Sequence, residues 1–519
     1  MPSDCPQIMH EPDLNSRRLS LISPLTGKQM GTAVCMTDSD VNSARNRARI
    51  AENIWRETQL QHRLKPIKVL RNLLCERQFV LSAALVEESG RPLQECLGAD
   101  LLPAINGLDY LLSHARKILQ NSSRDSVAEP YGTVGIIGTW NYPIFLNVIS
   151  ICQAIAAGNC VLWKPSELAL HSAEALNSLL QQCGLPDGVF QMLPGDTQTG
   201  RALTQCKCDL IVFTGGVATG RQIMANLAPT GTPSIMELSG NDPFIVDSSA
   251  DIDTAARCAV WARVTNAGQS CVAPQRFYVV NSVVDKFLAN VKTQLHQINH
   301  RDFTPLRTEQ QVDRCISLVD QAVKQGASCL IGGYRDSSRT GFYLHPALLA
   351  NCNDEMGVVN QDVFGPILPV IEVGSVQEAV ARSNSSELAL GASIWSRDDE
   401  QISGAVAGLK CGIVSVNEVL LDAARADCSF GGMRSSGNGK LRGPLGLEAM
   451  VVRKMVYRHK SKGTRRHLFP YMPAGSDILT ALIDIRHKPG PVSTKHLMQA
   501  CIRWSAEMKA TVINFEEKR

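Results

Sequence analysis

Tyr131-Gly132-Thr133-Val134-Gly135-Ile136-Ile137-Gly138-Thr139 is a short apolar run that stops at a glycine and gives way to Trp140-Asn141-Tyr142-Pro143. A run of this length, bounded by turn residues, reads as a buried strand. Residues 144–163 follow as a helix-length apolar segment broken by Asn147, Gln153 and the Gly158-Asn159 turn. Working outward, residues 159–164, 189–193 and 209–214 repeat the strand pattern between helical segments. This alternation predicts an α/β fold with a doubly wound parallel sheet. Ligands of such a sheet bind at the carboxyl ends of its strands.

A second run of the same kind begins near Asn241. Residues 243–246, 275–280, 367–373 and 411–416 read as strands, and 283–295 and 313–326 as helices. Ahead of both runs, residues 37–60 open on the capping-type string Thr37-Asp38-Ser39-Asp40, and 64–88 carry apolar residues at helical spacing. These segments predict a helical cover. Leu21-Ile22-Ser23-Pro24-Leu25-Thr26-Gly27-Lys28 is a turn with strand-like flanks. No internal repeat interrupts the pattern.

With 519 residues and 44% hydrophobic positions, the chain can bury more than one core, so two or three domains are expected. Lys plus Arg number 52 against 49 Asp plus Glu, a formal charge of +3, so no general attraction to nucleic acid or anionic membrane follows. The 17 cysteines lack the spacing of a secreted scaffold, and residues 1–20 show no charged segment followed by an apolar core. A reducing cytoplasm is the expected location. Cys206-Lys207-Cys208 has no second pair at zinc-like spacing, so those thiols read as structural and no metal is expected. The polar interruptions within residues 144–163 argue against a transmembrane segment.

Cys271 lies in Asn266-Ala267-Gly268-Gln269-Ser270-Cys271-Val272-Ala273-Pro274-Gln275-Arg276, downstream of Met236-Glu237-Leu238-Ser239-Gly240. Most free cysteines are small buried hydrophobes, and most glutamates are solvated or paired. Cys271 follows a Gly-Gln-Ser turn, where a loop can hold sulfur over a cleft, its thiolate supplied by local electrostatics. Glu237 sits among apolar residues at a strand end, where a raised pKa suits a general base. A thiol nucleophile and a carboxylate base are the tools that make and then hydrolyse a thioester.

These two motifs at this separation, with Gly138-Thr139-Trp140-Asn141-Tyr142-Pro143 before them, resemble the aldehyde dehydrogenase superfamily. The likeness covers roughly residues 21–459. Gly138–Pro143, Ile155-Ala156-Ala157-Gly158-Asn159 and Cys271-Val272-Ala273-Pro274 are most similar to its class 3 or fatty-aldehyde-type branch. The resemblance implies a Rossmann-like, NAD-binding domain (1–123 and 133–238) and an α/β catalytic domain (239–440). It also implies a small oligomerisation sheet from 124–132 and 441–460, with a C-terminal extension at 461–519. A homodimer or higher homo-oligomer is then the expected assembly.

The implied roles are specific. Cys271 attacks an aldehyde to give a thiohemiacetal, Asn141 donates to its alkoxide beside the nucleophile's own backbone N–H, and Glu237 activates water against the thioester. Loss of hydride from the thiohemiacetal requires a nicotinamide cofactor. Lys164, Ser166 and Glu167 fall on its adenosine and ribose side, and Thr139 and Trp140 are further cofactor-binding positions. The Glu167 carboxylate welcomes a 2′-hydroxyl over a 2′-phosphate, so NAD is favoured, with NADP possible. Gly215, Gly216 and Gly220 supply the turn and helix N-terminus for pyrophosphate, and Asp362 and Phe364 the nicotinamide side. Phe145, Arg263 and residues 422–430 are the expected substrate-tunnel surroundings. Ser429 to Gly439 resembles the family's substrate-site loop.

Four positions depart from the common family pattern. Gly216 stands for Ser or Thr, Asp362 for Glu, Ser239 for Gly and Asn241 for Lys. The first removes a hydroxyl near phosphate and the second shortens a carboxylate by one methylene, which bears on positioning. Three function classes follow: an NAD-linked aldehyde dehydrogenase, a CoA-acylating aldehyde dehydrogenase, and an idle structural or binding protein on the same fold. Ester hydrolysis would be a side activity of the first. Glu237 favours the first over the second, and the joint presence of Asn141, Glu237 and Cys271 argues against the third. Finally, Arg453, Lys454, Arg458, Lys460, Lys462, Arg465 and Arg466 precede His467-Leu468-Phe469-Pro470-Tyr471. Such a run is a solvated basic face or a peripheral contact with an anionic surface.

Overall fold

The computed structural model describes residues 17–120, 126–458, 471 and 473–516. The chain forms two compact units that divide between Val456 and Tyr457. The first opens with the hairpin Arg18–Ile22 and Gln29–Val34 around the expected turn. Helix Asp38–Trp55 follows, its first turn closed by a reciprocal cap in which Thr37 and Asp40 bond one another's backbone N–H. The helical reading is right, but its ends differ. The first helix stops at Trp55, and the expected helix over 64–88 is two helices, Leu60–Glu76 and Gln78–Ser89. Arg77, between them, has φ −104° and ψ 17°. Neither Gly nor Pro marks that break, so periodicity alone misses it.

The first sheet has six strands. Ser234–Leu238, Leu210–Gly215, Thr133–Ile137, Cys160–Lys164 and Phe190–Met192 run parallel in that spatial order. Strand Thr133–Ile137 is buried at every residue, as its uninterrupted apolar pattern demands. Helix Phe145–Ala157 crosses over from it and is buried around nearly its whole circumference, which is why residues 144–163 look membrane-like. Among the described residues no helix is long and apolar enough to cross a membrane. The sixth strand, Gly437–Asn438, comes from far along the chain and adds antiparallel to Ser234–Leu238. A Cβ on Gly437 would meet the Met236 carbonyl oxygen at 1.9 Å, so only glycine permits this approach.

The second sheet has seven strands, in the order Ser328–Ile331, Ala347–Ala350, Ile367–Val373, Arg276–Val280, Pro243–Val246, Gly391–Trp395, Ile413–Val416. Four of these were legible as strands. Ser328–Ile331, Ala347–Ala350 and Gly391–Trp395 were not, being short runs of small residues with little alternation. Helix Glu309–Lys324 starts one turn before the expected 313, where Thr308 caps it.

Ser126–Pro130 and Val451–Met455 pair antiparallel as a two-stranded ribbon, the segments read as an oligomerisation sheet. Positions 124, 125, 459 and 460 of those segments lie outside the described residues. Arg453 and Lys454, from the basic run, bond within the ribbon's surroundings: Arg453 reaches the Ile118 and Leu119 carbonyls, and Lys454 pairs with Glu129. Lys460, Lys462, Arg465, Arg466 and His467 to Pro470 lie outside the described residues. The second unit is a hairpin of helices Pro473–His487 and Pro491–Glu516, tied by an Arg503–Asp477 ion pair at 3.1 Å.

Candidate active site

Four parallel strands of the first sheet end on one edge, and each hands over a motif. Thr133–Ile137 leads to the Gly138–Pro143 loop, Cys160–Lys164 ends at Lys164, Leu210–Gly215 leads to Gly216, and Ser234–Leu238 carries Glu237. The strand carboxyl ends therefore gather the sequence candidates, as an open parallel sheet does.

Cys271 meets Glu237 there. The Cys271 Sγ donates to Glu237 Oε1 at 3.7 Å, and Glu237 is 2% exposed with its other oxygen unpartnered. Burial raises the Glu237 carboxyl above its usual range, opposed by Arg442 and by the thiol. The Cys271 thiol is pushed well up by burial and then by the Glu237 charge, against the pull of Arg442. Both directions favour the protonated forms, so the thiolate expected from local electrostatics requires moving the proton from sulfur to carboxylate.

The loop that presents Cys271 is strained. Asn266 and Ala267 have φ of 50° and 52°, and Gly268 follows at 68°. A Cβ on Gly268 would stand 2.6 Å from the Gly365 carbonyl oxygen, so the loop lies directly against the segment that carries Phe364. The surroundings fix this geometry. The Asn266 backbone N–H donates to Glu95, and its side chain donates to the Asn141 carbonyl. Burial pushes the Glu95 carboxyl up to about 7.

Asn141 is 5% exposed and is oriented from both sides. Thr139 Oγ1 donates to its Oδ1 at 2.9 Å, and its Nδ2 donates to the Gln269 carbonyl at 3.0 Å, two residues before Cys271. One hydrogen of the amide is thus committed to the loop, leaving one for a substrate oxygen. Thr139, assigned to cofactor by resemblance, uses its hydroxyl here to set the amide.

Beneath this loop, Asp100 Oδ1 accepts from the backbone N–H groups of Ile144 and Phe145 at 3.0 and 2.9 Å, capping the helix that follows Asn141. Asp100 is paired with Arg91, and both side chains are fully buried. Sequence reading missed this pair, because Arg91 lies in the Gly90–Pro92 break between helices and Asp100 in the π-helical turn Leu97–Leu101, with no motif joining them. Gln275 was missed as a side chain too. Its amide donates to the Gly240 carbonyl (2.8 Å) and to Asp362 (3.1 Å), while its oxygen accepts from the Val363 N–H (2.7 Å). It locks the glutamate turn, the cysteine loop and the 362–364 segment together.

Cys271 and Glu237 line a cavity of about 580 Å³. Phe145, Leu146, Val260, Val264, Leu420 and Phe430 form much of its apolar wall. Phe145 and part of 422–430 are where expected. Positions around Arg263 reach the cavity too, although Arg263 itself is fully buried and its Nε donates to the Ile367 carbonyl at 3.0 Å. Helical geometry turns residue 263 toward the sheet, while Val260, Trp261 and Val264 face the cavity.

The cofactor candidates divide between two places. Gly216 and Asp362 share a second cleft of about 630 Å³. Gly216 precedes helix Val217–Leu227 with no side-chain cap, and a Cβ there would meet nothing within 4 Å. Its open backbone and the helix's free N–H groups suit a phosphate group. Gly215 and Gly220, by contrast, are packed against Phe213 and Leu238. At the end of strand Cys160–Lys164, two places along the sheet, Lys164 pairs with Glu167 at 2.7 Å, and the Ser166 hydroxyl accepts from the Leu168 N–H, a local cap. Phe364, at φ 46°, presents its ring edge-on to Trp140 with centroids 5.7 Å apart. An open phosphate-type cradle, a carboxylate in its cleft and the reacting pair at the same sheet edge fit a dinucleotide.

Residues 12–456 match the model of the aldehyde dehydrogenase family. The chain is 30% identical to 4,4'-diapolycopene aldehyde oxidase of Methylomonas sp over 484 residues, covering 90% of this chain and 91% of that protein. It is 32% identical to mitochondrial succinate-semialdehyde dehydrogenase of Mus musculus over 454 residues, covering 83% and 86%. An aldehyde dehydrogenase of Mycobacterium tuberculosis solved with NAD+ superposes with a TM-score of 0.83 at 27% identity, covering 88% of this chain and 97% of that one.

Proposed function

The chain belongs to the aldehyde dehydrogenase family, and on that premise we propose that it oxidises an aldehyde with an apolar body to the carboxylic acid, using Cys271 and Glu237. The observation that carries this reading is the Cys271–Glu237 contact at 3.7 Å in the wall of a largely apolar cavity. Glu237 takes the thiol proton, and the sulfur adds to the carbonyl carbon. The free Asn141 amide hydrogen and the Cys271 backbone N–H receive the oxygen's developing charge, each such donor contributing about 3 kcal/mol. Once that proton has passed to solvent, the Glu237 carboxylate takes a proton from the water that attacks the thioester, and the C–S bond breaks to return the Cys271 sulfur.

Gly216, the start of helix Val217–Leu227, Lys164, Glu167, Asp362 and Phe364 are the residues that would hold a nicotinamide dinucleotide, which when bound accepts the hydride. Glu167 beside Lys164 favours NAD over NADP. The apolar wall agrees with the fatty-aldehyde-type branch that the motifs resemble.

The ribbon of Ser126–Pro130 and Val451–Met455 leaves Val127, Val452 and Met455 about half exposed, which supports a homodimer formed there. A domain division near residues 238 and 440 follows the two sheets, except that Gly437–Asn438 returns to the first. The sixteen cysteines of the described residues are free thiols, which supports a reducing compartment such as the cytoplasm.

The test is absorbance at 340 nm with NAD or NADP and short, long-chain, aromatic and semialdehyde substrates, each with and without CoA. NADH formed without CoA, best with long-chain or aromatic aldehydes and abolished in Cys271→Ala, is the expected result. Reduction only with CoA would assign acyl transfer instead. Silence in folded protein would defeat the enzymatic reading. Light scattering on a sizing column tests the dimer.

A further inference from the structure

Arg442 has no counterpart among the motifs and is an unusual residue for its place. It is 6% exposed, lines the Cys271 cavity and forms no ion pair among the described residues. Its guanidinium lies over the Phe430 ring at 4.2 Å and near the Phe145 ring at 5.2 Å. One nitrogen donates to the Ala423 carbonyl, and the buried Nε has no partner. A buried guanidinium left without a carboxylate is costly unless a charge elsewhere compensates it. Its backbone adds a second anomaly. At φ 59° and ψ 173°, Arg442 occupies a region that is essentially reserved for glycine. The fold therefore holds a large cation where a glycine would sit without strain.

The compensating charge is at the reacting pair. Glu237 lies in the same cavity wall, accepts from Cys271 Sγ at 3.7 Å and has its other oxygen buried without a partner; with one proton between them the two groups carry a single negative charge, whether it is on sulfur or on oxygen. The other titratable groups around them are Asp242 behind the loop, and Glu95, Asp302 and Tyr142 with the exposed Arg257 around the cavity. Only Arg442 opposes the carboxylates from a buried position in that wall.

We propose that Arg442 is a positioning residue of the reaction centre: a buried cation that holds the negative charge shared by Cys271 and Glu237, and so sets the pH at which the thiol becomes nucleophilic. The inference rests on Cys271 and Glu237 acting as nucleophile and base. In the step it serves, the S–H bond breaks, an O–H bond forms on Glu237, and the charge passes to sulfur beside an unchanged guanidinium. Its shielding between two aromatic rings keeps water from screening it.

The test needs neither aldehyde nor cofactor. Full-length protein is alkylated with iodoacetamide from pH 6 to 11, and the rate of modification of Cys271 is followed by peptide mass spectrometry. Arg442→Met and Arg442→Gly are expected to raise the midpoint by about one pH unit or more, which slows alkylation about tenfold below it. Arg442→Lys should restore most of the rate. Arg442→Gly suits the backbone and serves if Arg442→Met does not fold. Unchanged midpoints in folded Met and Gly variants, or a Lys variant no better than Met, would overturn the proposal. So would an effect confined to KM for 4-carboxybenzaldehyde over benzaldehyde, which would make Arg442 an anchor for anionic substrates. Absent dehydrogenase activity would defeat the proposed function while leaving this measurement readable.

Discussion

Replacing Asp242 by Asn should stabilise the protein at alkaline pH and do nothing at acid pH. Asp242 is 3% exposed behind the Cys271 loop, and its Oδ1 accepts from the Gly391 N–H at 3.0 Å. Burial, aided by Asp362 and opposed by that hydrogen bond and Arg276, raises its carboxyl from 3.8 to about 7. A folded pKa above the unfolded one means that the native state binds the proton more tightly. The resulting stability is complete below 3.8 and is lost as pH rises to about 7, above which the loss is constant. Each pH unit between those values is worth about 1.36 kcal/mol, so about 4 kcal/mol is lost across the window. Asparagine keeps an acceptor for Gly391 and never ionises. Urea unfolding of both proteins from pH 4 to 8.5 measures the difference and cancels every other titrating group. The Asn variant should match wild type near pH 4 and exceed it by up to about 4 kcal/mol at pH 8. A difference that is flat between pH 5 and 8 would refute the reasoning.

Gln275→Leu strands the Val363 N–H, the Gly240 carbonyl and one Asp362 bond. At about 1–3 kcal/mol for each buried group left unmade, it should lower Tm by roughly 5 °C or more, read by calorimetry, with kcat falling as well. Asp100→Ala removes the partner of buried Arg91 and the cap beneath the Asn141 loop. A loss of about 3–5 kcal/mol in denaturant unfolding is expected. Asp362→Glu restores the longer carboxylate, and steady-state kinetics should show a changed kcat or cofactor KM. Identical constants would mean that the backbone has already made up the missing methylene.

The residues of the reaction centre were legible one by one, because each stands in a local string whose chemistry is local. Asn141 follows a strand and precedes a helix, Glu237 ends an apolar run, and Cys271 follows a Gly-Gln-Ser turn and precedes Val-Ala-Pro. The strand–helix alternation likewise showed a parallel α/β fold, since burial on both faces forces continuous apolar runs. Less legible were Ala347–Ala350 and Gly391–Trp395, short strands whose burial comes from sheet neighbours rather than from their own pattern, and the part-exposed edge strand Ser328–Ile331. Which positions around Arg263 line the cavity was not legible, because one turn of a helix decides which face each residue joins.

By itself, then, the sequence determined which groups are present: a thiol, a carboxylate, an amide and an open glycine turn, in an order that places them at strand ends. Only the tertiary structure decided their electrostatics. The desolvation that raises the Cys271 and Glu237 groups depends on which walls close around them, and those walls come from 145, 260, 430 and 442. Nor does any string around Gln275 or Arg442 reveal that one clamps three segments and the other lines the same cavity as a carboxylate more than 200 positions earlier. Charges act through space and burial, and both are properties of the folded chain.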